Sequence, residues 1–297
     1  MKRPVVKAIL HTLPSSGSGN GVSYWKGWMS CCRAALLKEK EREAQDPKKP
    51  LPLPKKPALL VGTIAHALLD LYYKLPKAKA LAIDTTAVMW ADESGRPLDL
   101  NDEARGDAEA IFRAYRTQYA PDELGEVLGT EVQLDGEDIC EAVGFSPFST
   151  KPDLIVRASP ATVREWRHSR GIEEKPGIWL VDHKTDGMSR ENRAQSYIDE
   201  IQFTGQMLAV AKRYPRWKIR GLLVNVLGKQ ARPKFETIVV PFPNEKRAEI
   251  LRAFLAEANV NRMRALRPGG GVAPCNVLYC HNTYNDDCPY LKRCPRY

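Results

Sequence analysis

Two short stretches of the chain place acidic residues beside strand-like apolar runs. Asp153 opens the run at residues 154–156, and Asp182 follows the run at residues 178–181, with Lys184 two positions on. Because side chains alternate along a strand, Asp182 and Lys184 are expected on the same face. Two carboxylates can hold a hard divalent cation through oxygen, and a lysine can stabilise charge on an attacking water or a phosphate. These residues predict divalent-metal phosphodiester hydrolysis, and therefore a nuclease.

Four short motifs occur in an order that resembles the PD-(D/E)xK nuclease superfamily, and within it the RecB-like exonuclease branch, which includes AddB and CRISPR-associated relatives. They are Gly62-x-x-x-His66, Asp153, Asp182-His183-Lys184 and Gln202. The resemblance runs from about residue 23 to the C-terminus. It implies an α/β fold with a restriction-endonuclease-like core, in which helices flank a central mixed β-sheet.

The resemblance also implies roles for individual residues. The residues that it implies for catalysis are Asp153, Asp182, Lys184 and Gln202. The ligands that it implies for Mg²⁺ or Mn²⁺ are His66, Asp153, Asp182 and the backbone carbonyl of His183. The site could hold one metal ion or two.

Three positions near these motifs leave alternatives open. Gln206 lies one helical turn after Gln202, where relatives commonly carry a tyrosine, so either glutamine could face the site, and Gln202 is favoured. Asp70 stands where the RecB-like pattern often continues to a glutamate. Glu131 is similar to a family acid that precedes the first catalytic strand. Gly62 is expected to allow a close approach of its helix.

The cysteines indicate a second metal centre. Relatives hold a [4Fe–4S] cluster with one upstream cysteine and three near the C-terminus, spaced Cys-x2-Cys-x5-Cys. The resemblance therefore implies as cluster ligands Cys31, Cys280, Cys288 and Cys294, with Cys32 and Cys275 as the alternatives to the first two. The x5 spacing of the last pair is kept, whereas seven residues separate Cys280 from Cys288. Four thiolates would also suit Zn²⁺, and unligated thiols are a third interpretation. Cys140, within an apolar stretch, is expected in the core.

Composition favours a polyanionic partner. The formal net charge of the 297 residues is +9, with 43% hydrophobic and 27% charged residues, which suits a protein with a substantial core that binds nucleic acid. No apolar run approaches the roughly 20 residues that cross a bilayer, and no secretory signal is recognised at the N-terminus. We therefore expect a cytoplasmic protein without a membrane partner.

The pattern of apolar residues and breakers predicts the order of elements. Helices are expected over residues 24–45, from 62 onward, 100–119, 190–214 and 244–266, with a helix-compatible insert at 160–176. Strands are expected over residues 127–134, 139–145, 153–157, 178–183, 218–227 and 235–241. The predicted organisation is an N-terminal helical region with a basic proline-rich connector (1–60), a nuclease core (61–267) and a cysteine cluster that packs on the N-terminal helix (268–297).

Three functions are compatible with these patterns. The favoured one is a metal-dependent DNA exonuclease that acts on linear or single-stranded ends in recombination, repair or phage DNA processing. The chain carries no helicase motif, so any helicase activity would come from a separate protein. The expected protein partner is such a helicase or a recombinase. The alternatives are a structure-specific or single-strand endonuclease and a nucleic-acid-binding module without catalysis. The complete set of Asp153, Asp182 and Lys184 argues against the last.

Overall fold

Strand β5 (Gly177–Asp186) lies at the centre of a five-stranded sheet. The computed structural model describes residues 9–12, 22–44, 57–91, 98, 100–144, 146–186, 193–198, 200–228 and 234–266. The sheet has the order β3 (Glu126–Thr130), β4 (Leu154–Ala158), β5, β6 (Ile219–Gly228) and β7 (Phe235–Pro241). Strands β5 and β6 run parallel, and the other neighbours are antiparallel. Two short parallel strands, β1 (Ile9–Thr12) and β2 (Val88–Ala91), form a separate pair.

Helices precede, interrupt and follow these strands. They are α1 (Val22–Ser30), α2 (Cys32–Ala44), α3 (Pro57–Lys74), α4 (Lys77–Leu81), α5 (Asp102–Gln118), α6 (Glu137–Ala142), α7 (Pro160–Ser169), α8 (Arg193–Ile198), α9 (Ile201–Arg213) and α10 (Glu245–Leu266). A single 3₁₀ turn, Thr85–Ala87, precedes β2.

Both faces of the sheet are covered by apolar clusters. Side chains alternate along the central strands, so each strand contributes residues to both clusters. From β5, Trp179 and Val181 join the apolar cluster built with α3, α5 and α7. Ile178 and Leu180 join the opposite cluster, which includes α1, α9 and α10. Each fully buried apolar side chain of this size contributes about 1.5–3 kcal/mol relative to exposure. The predicted α/β class, with a mixed sheet flanked by helices, is thereby confirmed.

Two of the predicted helix starts are confirmed by their caps. The side chain of Asn101 accepts a hydrogen bond from the backbone N–H of Ala104 at 2.8 Å, at the start of α5. The side chain of Asn244 accepts one from Arg247 at 3.0 Å, at the start of α10. An Asn at this position satisfies an amide that the helix itself leaves without an acceptor.

The strand predicted over residues 139–145 is wrong, because helix α6 (Glu137–Ala142) occupies the first part of this segment. Ile139 and Val143 lie one helical turn apart and are both fully buried in the cluster with α9. Glu137 and Asp138 occupy the first turn, where negative charge is favourable. The β-branched residues that suggested a strand therefore form one stripe of a helix. Cys140 lies half-exposed on α6 rather than in a core strand.

Other helix boundaries differ from the predicted ones. Helix α3 begins at Pro57, five residues before Gly62, because proline is tolerated in the first turn of a helix. The helix predicted over 24–45 is interrupted at Cys31. The helix predicted over 190–214 is divided into α8 and α9, where the carboxylate of Glu200 accepts from the N–H of Gln202 at 3.3 Å and caps α9.

Two predicted regions lie outside the described residues. They are most of the proline-rich connector and the C-terminal segment with Cys275, Cys280, Cys288 and Cys294. Within the ranges that the structure describes, none of the helices is both long and apolar enough to cross a membrane.

Candidate active site

Strand pairing brings the two predicted carboxylates together. Leu154 of β4 pairs with Val181 of β5, so Asp153, just before β4, lies beside Asp182 in the middle of β5. As alternation predicts, Asp182 and Lys184 share the face that α9 covers, and their side chains meet. His183 points to the opposite face, where its ring contacts α3 and α5. The sheet therefore supplies the acidic pair and the lysine from two adjacent strands.

Asp182 is a buried carboxylate in direct contact with the ammonium group of Lys184. It is 2% exposed, its Oδ1 lies 2.5 Å from Lys184 Nζ, and its Oδ2 accepts from Gln206 Nε2 at 3.2 Å. Burial raises the pKa of Asp182, Lys184 opposes that rise, and the nearby charge of Asp153 adds to it. Burial lowers the pKa of Lys184, but Asp182 together with Asp153 and Glu200 holds this pKa above its ordinary value. The lysine therefore keeps its positive charge at neutral pH.

Asp153 is held through one oxygen. Its Oδ2 accepts from the backbone N–H of His183 at 2.6 Å and lies 3.3 Å from His66 Nδ1. Burial would raise the pKa of Asp153, but His66 and the other nearby positive groups hold it well below its ordinary range. Burial would lower the pKa of His66, whereas Asp153 raises it above its usual value. In this geometry His66 is the charge partner of Asp153, and a role as metal ligand requires its neutral ring.

Gly62 explains how α3 comes close enough for that contact. A Cβ atom at Gly62 would lie 2.8 Å from Thr185 Oγ1 on β5, which is closer than real Cβ atoms approach. His66 follows one helical turn later on the same face. The glycine therefore lets α3 lie directly on the end of β5, as the motif predicts, and His66 is carried to Asp153.

The structure brings Gln206, rather than the favoured Gln202, to the acidic pair. Gln206 is 1% exposed and donates to Asp182. Gln202 is half-buried one turn earlier, where its backbone N–H is part of the α9 cap. The alternative that the sequence left second is therefore the glutamine that touches the site.

The two further acids also lie near the site. Glu131 forms an ion pair with Lys151, and its backbone N–H donates to the carbonyl oxygen of Asp153 at 2.8 Å. Burial raises the pKa of Glu131, and the charge of Asp153 adds to the rise. Its φ of 50° is in the left-handed region, where non-glycine residues are uncommon. Asp70 pairs with Lys74 at 2.6 Å.

Two polar residues close behind the site were missed by the sequence reasoning. They are Arg170, just after α7, and Asn225, which is paired in register with His183. One signal in the sequence could have indicated this pair. Asn225 is a single amide within the apolar run of β6, and a buried polar side chain needs hydrogen-bond partners. Burial also lowers the pKa of His183 to about 3, so its ring is neutral.

The oxygens at Asp182 fit a divalent cation. Asp182 Oδ1 faces the ammonium group of Lys184, and the buried Gln206 Oε1 has no hydrogen-bond donor among the described residues. Hard cations such as Mg²⁺ bind oxygen donors of this kind. Within the described part of the chain, no three His, Cys, Asp or Glu side chains form a ready-made metal cage. The fit therefore rests on the paired carboxylates and on the amide oxygen of Gln206.

Of the predicted cluster ligands, only the upstream position lies within the described residues. Cys31 and Cys32 are both buried at the junction of α1 and α2, with 3% and 9% exposed. The Sγ of Cys32 donates to the carbonyl oxygen of Trp28 at 3.3 Å. The other three expected ligands lie outside the described ranges.

Comparison with known proteins gives a distant structural likeness. No protein-family model matches the chain, and no curated protein sequence matches it. The chain is similar to a crystal structure of a candidate exonuclease from Eubacterium rectale, with 16% identity over 83% of this chain and 82% of that chain, and a TM-score of 0.47. The functional argument is therefore made from the geometry of the site itself.

Proposed function

We propose that the chain is a Mg²⁺- or Mn²⁺-dependent DNA nuclease, with exonuclease action favoured, that hydrolyses phosphodiester bonds in recombination, repair or phage DNA processing. The observation that carries the proposal is the meeting of Asp153, at the start of β4, with Asp182 and Lys184 of β5. A buried carboxylate beside a second carboxylate costs folding free energy. Such a pair suits a site for a cation and a phosphate better than a structural role.

In the proposed mechanism, each residue has a task set by its charge and position. When bound, the cation polarises a phosphoryl oxygen and lowers the pKa of a bound water. Asp153 and Asp182 would hold it, with the carbonyl of His183 as a further oxygen ligand. Lys184 stays charged and would stabilise negative charge on the phosphate. Gln206 holds Asp182 in place through its Oδ2.

The proposed substrate and partners follow from charge and from the resemblance. The net charge of +9 favours DNA, because lysines and arginines that contact phosphate supply most nonspecific affinity. Preference for linear or single-stranded ends, a separate helicase or recombinase, a cytoplasmic location and a [4Fe–4S] cluster are parts of the same proposal. They are implied by the RecB-like motifs.

The decisive test is cleavage of matched DNA substrates by the purified protein. End-labelled linear DNA and closed circular DNA, each single- and double-stranded, are incubated with Mg²⁺, with Mn²⁺ or with EDTA. We expect progressive loss of nucleotides from linear DNA with either metal, none with EDTA, and intact circles. Rapid nicking of circles would select the endonuclease alternative.

The control for contaminating nucleases is Lys184→Met, purified in the same way. This change keeps the length of the side chain but removes the ammonium group beside Asp182. Equal cleavage by the variant and the original protein would contradict the proposed site. DNA binding without metal-dependent cleavage of any substrate would instead favour the binding-module alternative.

A further inference from the structure

A fully buried ion pair lies behind the site, on the face of the sheet opposite Asp182. Arg170 is 1% exposed and donates to Glu123 from Nε at 2.7 Å and from Nη2 at 2.6 Å. Its Nη1 donates to Asn225 Oδ1 at 2.8 Å, so all three guanidinium nitrogens are engaged. Burying two charges is costly unless the surrounding hydrogen bonds are complete. Because each of its nitrogens donates a hydrogen bond, the guanidinium group of Arg170 is held in one orientation in the core.

The guanidinium determines which way the amide of Asn225 points. Arginine has donors and no acceptor, so Asn225 must turn its oxygen toward Arg170. The hydroxyl of Thr237, which accepts from Arg170 at 2.9 Å, is free to donate to the same oxygen at 3.2 Å. The Nδ2 group of Asn225 therefore faces the other way, where one N–H can donate to the hydroxyl of Tyr115 at 3.3 Å and the other is directed at His183 Nδ1 at 3.4 Å.

The amide in turn determines the tautomer of His183. An N–H of Asn225 directed at Nδ1 requires Nδ1 to be an acceptor, which places the ring proton on Nε2. The opposite tautomer would set two N–H groups against each other and leave Nε2 as an acceptor without a donor. Within the described residues, His183 Nε2 has no hydrogen-bond partner, so no contact at this nitrogen opposes that preference.

The ring of His183 is also fixed by aromatic neighbours. It stacks on Tyr73 with centroids 6.0 Å apart and planes 17° apart, and the hydroxyl of Tyr73 bonds to that of Tyr115 at 2.7 Å. It meets the ring of His66 edge-on at 6.1 Å. His66 and the backbone N–H of His183 both contact the same oxygen of Asp153.

We propose that Arg170, Asn225 and His183 form a positioning chain that fixes the Asp153 carboxylate from the opposite face of the sheet, with His183 held as the Nε2–H tautomer. The inference rests on the proposed nuclease function for its kinetic consequence. None of the three side chains touches the substrate in this arrangement. They act by holding the backbone of His183 and the ring of His66, which together orient Asp153.

The first test measures the tautomer directly and needs no activity. Protein labelled with ¹⁵N-histidine is studied by long-range ¹H–¹⁵N correlation, and the His183 signals are those missing in His183→Asn. We expect a protonated Nε2 and an unprotonated Nδ1. We also expect the His66 signals to shift in Asn225→Leu, because the His183 ring, which contacts His66, loses its hydrogen bond from Asn225. A protonated Nδ1 at His183, or unchanged His66 signals, would overturn the chain.

The second test separates positioning from general stability. In Asn225→Leu we expect kcat for linear DNA to fall about tenfold to a hundredfold, as for other residues that orient a metal-site ligand, with KM unchanged. The matched control is Thr85→Val, which removes a buried hydrogen bond to Glu109 elsewhere in the core. It should lower Tm but leave kcat and the His66 signals unchanged. Equal kcat in both variants would overturn the kinetic role.

The two tests distinguish failure of this inference from failure of the proposed function. Original protein that cleaves no DNA with either metal would contradict the nuclease proposal, while the tautomer and the His66 signals would still decide the positioning chain. Conversely, an active nuclease with the other His183 tautomer would contradict the chain and leave the function standing.

Discussion

At the scale of single residues, the charge balance at Asp182 decides what its replacement should do. Asp182→Asn keeps the shape of the side chain and removes the negative charge that pairs with Lys184. We expect cleavage to fall by more than about a hundredfold, since even residues that only orient a metal ligand cost tenfold to a hundredfold. Affinity for DNA should stay the same, because basic side chains that contact phosphate supply it. Cleavage and binding are measured on the same end-labelled DNA.

The matched control for this change is Asp122→Asn, on an exposed carboxylate that pairs with Lys77 at 2.7 Å. Exposed pairs of this kind contribute little to stability, so this variant should cleave and bind like the original protein. Full activity in Asp182→Asn would show that the acidic pair is not the catalytic site.

The two glutamines of α9 give a second prediction at this scale. Gln206→Leu removes the amide that donates to Asp182 and should lower cleavage about tenfold to a hundredfold. Gln202→Leu changes a half-buried side chain one turn earlier and should leave the rate close to that of the original protein. Initial rates at saturating DNA make the comparison. A larger loss in Gln202→Leu than in Gln206→Leu would reverse the assignment.

At the scale of elements, the contact between α3 and β5 can be tested through Gly62. Gly62→Ala places a Cβ 2.8 Å from Thr185 Oγ1, and overpacking of this kind costs about 1–3 kcal/mol. We expect a lower free energy of unfolding and slower cleavage, because His66 moves away from Asp153. Urea unfolding and initial cleavage rates measure the two effects.

A second substitution and a control make that prediction specific. Thr185→Ala removes the atom that the new Cβ meets, so adding it to Gly62→Ala should restore much of the lost stability and activity. Gly106→Ala, within α5, meets no atom within 4 Å and should be neutral or stabilise by about 0.5–1 kcal/mol. A Gly62→Ala variant as active and stable as Gly106→Ala would refute the close contact.

The elements also show which features of this chain can be inferred from sequence. Alternation along a strand depends only on local geometry, so the shared face of Asp182 and Lys184 was predictable. The choice between Gln202 and Gln206 was not, because both lie on one helical face and the cap at Glu200 sets where α9 begins. Helix α6 was missed because isolated Ile and Val fit a strand as well as a helical stripe. Arg170 and Asn225 meet across 55 positions of sequence, which no local pattern reveals.

At the scale of the whole molecule, α10 connects the N-terminal helices to the end of the described chain. Near its C-terminus, Arg262 donates to the hydroxyl of Tyr24 at 2.8 Å and to Glu39 at 2.6 Å. Asn261 contacts the sulfur of Met29 at 3.8 Å. Helix α10 therefore ends beside the helices that carry Cys31 and Cys32.

The surroundings of the two upstream cysteines favour Cys31 as the ligand. Burial raises the pKa of the Cys32 thiol, and its Sγ is directed at a carbonyl of α1. A metal ligand must be a thiolate, so Cys32 is the poorer candidate. Cys31 lies at the break between α1 and α2, and within the described residues its Sγ donates no hydrogen bond to a carbonyl oxygen.

The last prediction tests this assignment with protein prepared without air. The original protein should be brown and contain about four iron atoms per chain, as expected for a [4Fe–4S] cluster. Cys31→Ser and Cys288→Ser should be colourless and unfold at lower temperature, because a ligand bound only by the folded state adds to its stability. Cys32→Ala and Cys140→Ala serve as matched controls and should stay brown. Colourless protein with stoichiometric zinc would contradict the cluster, whereas loss of colour in Cys32→Ala alone would move the ligand by one residue.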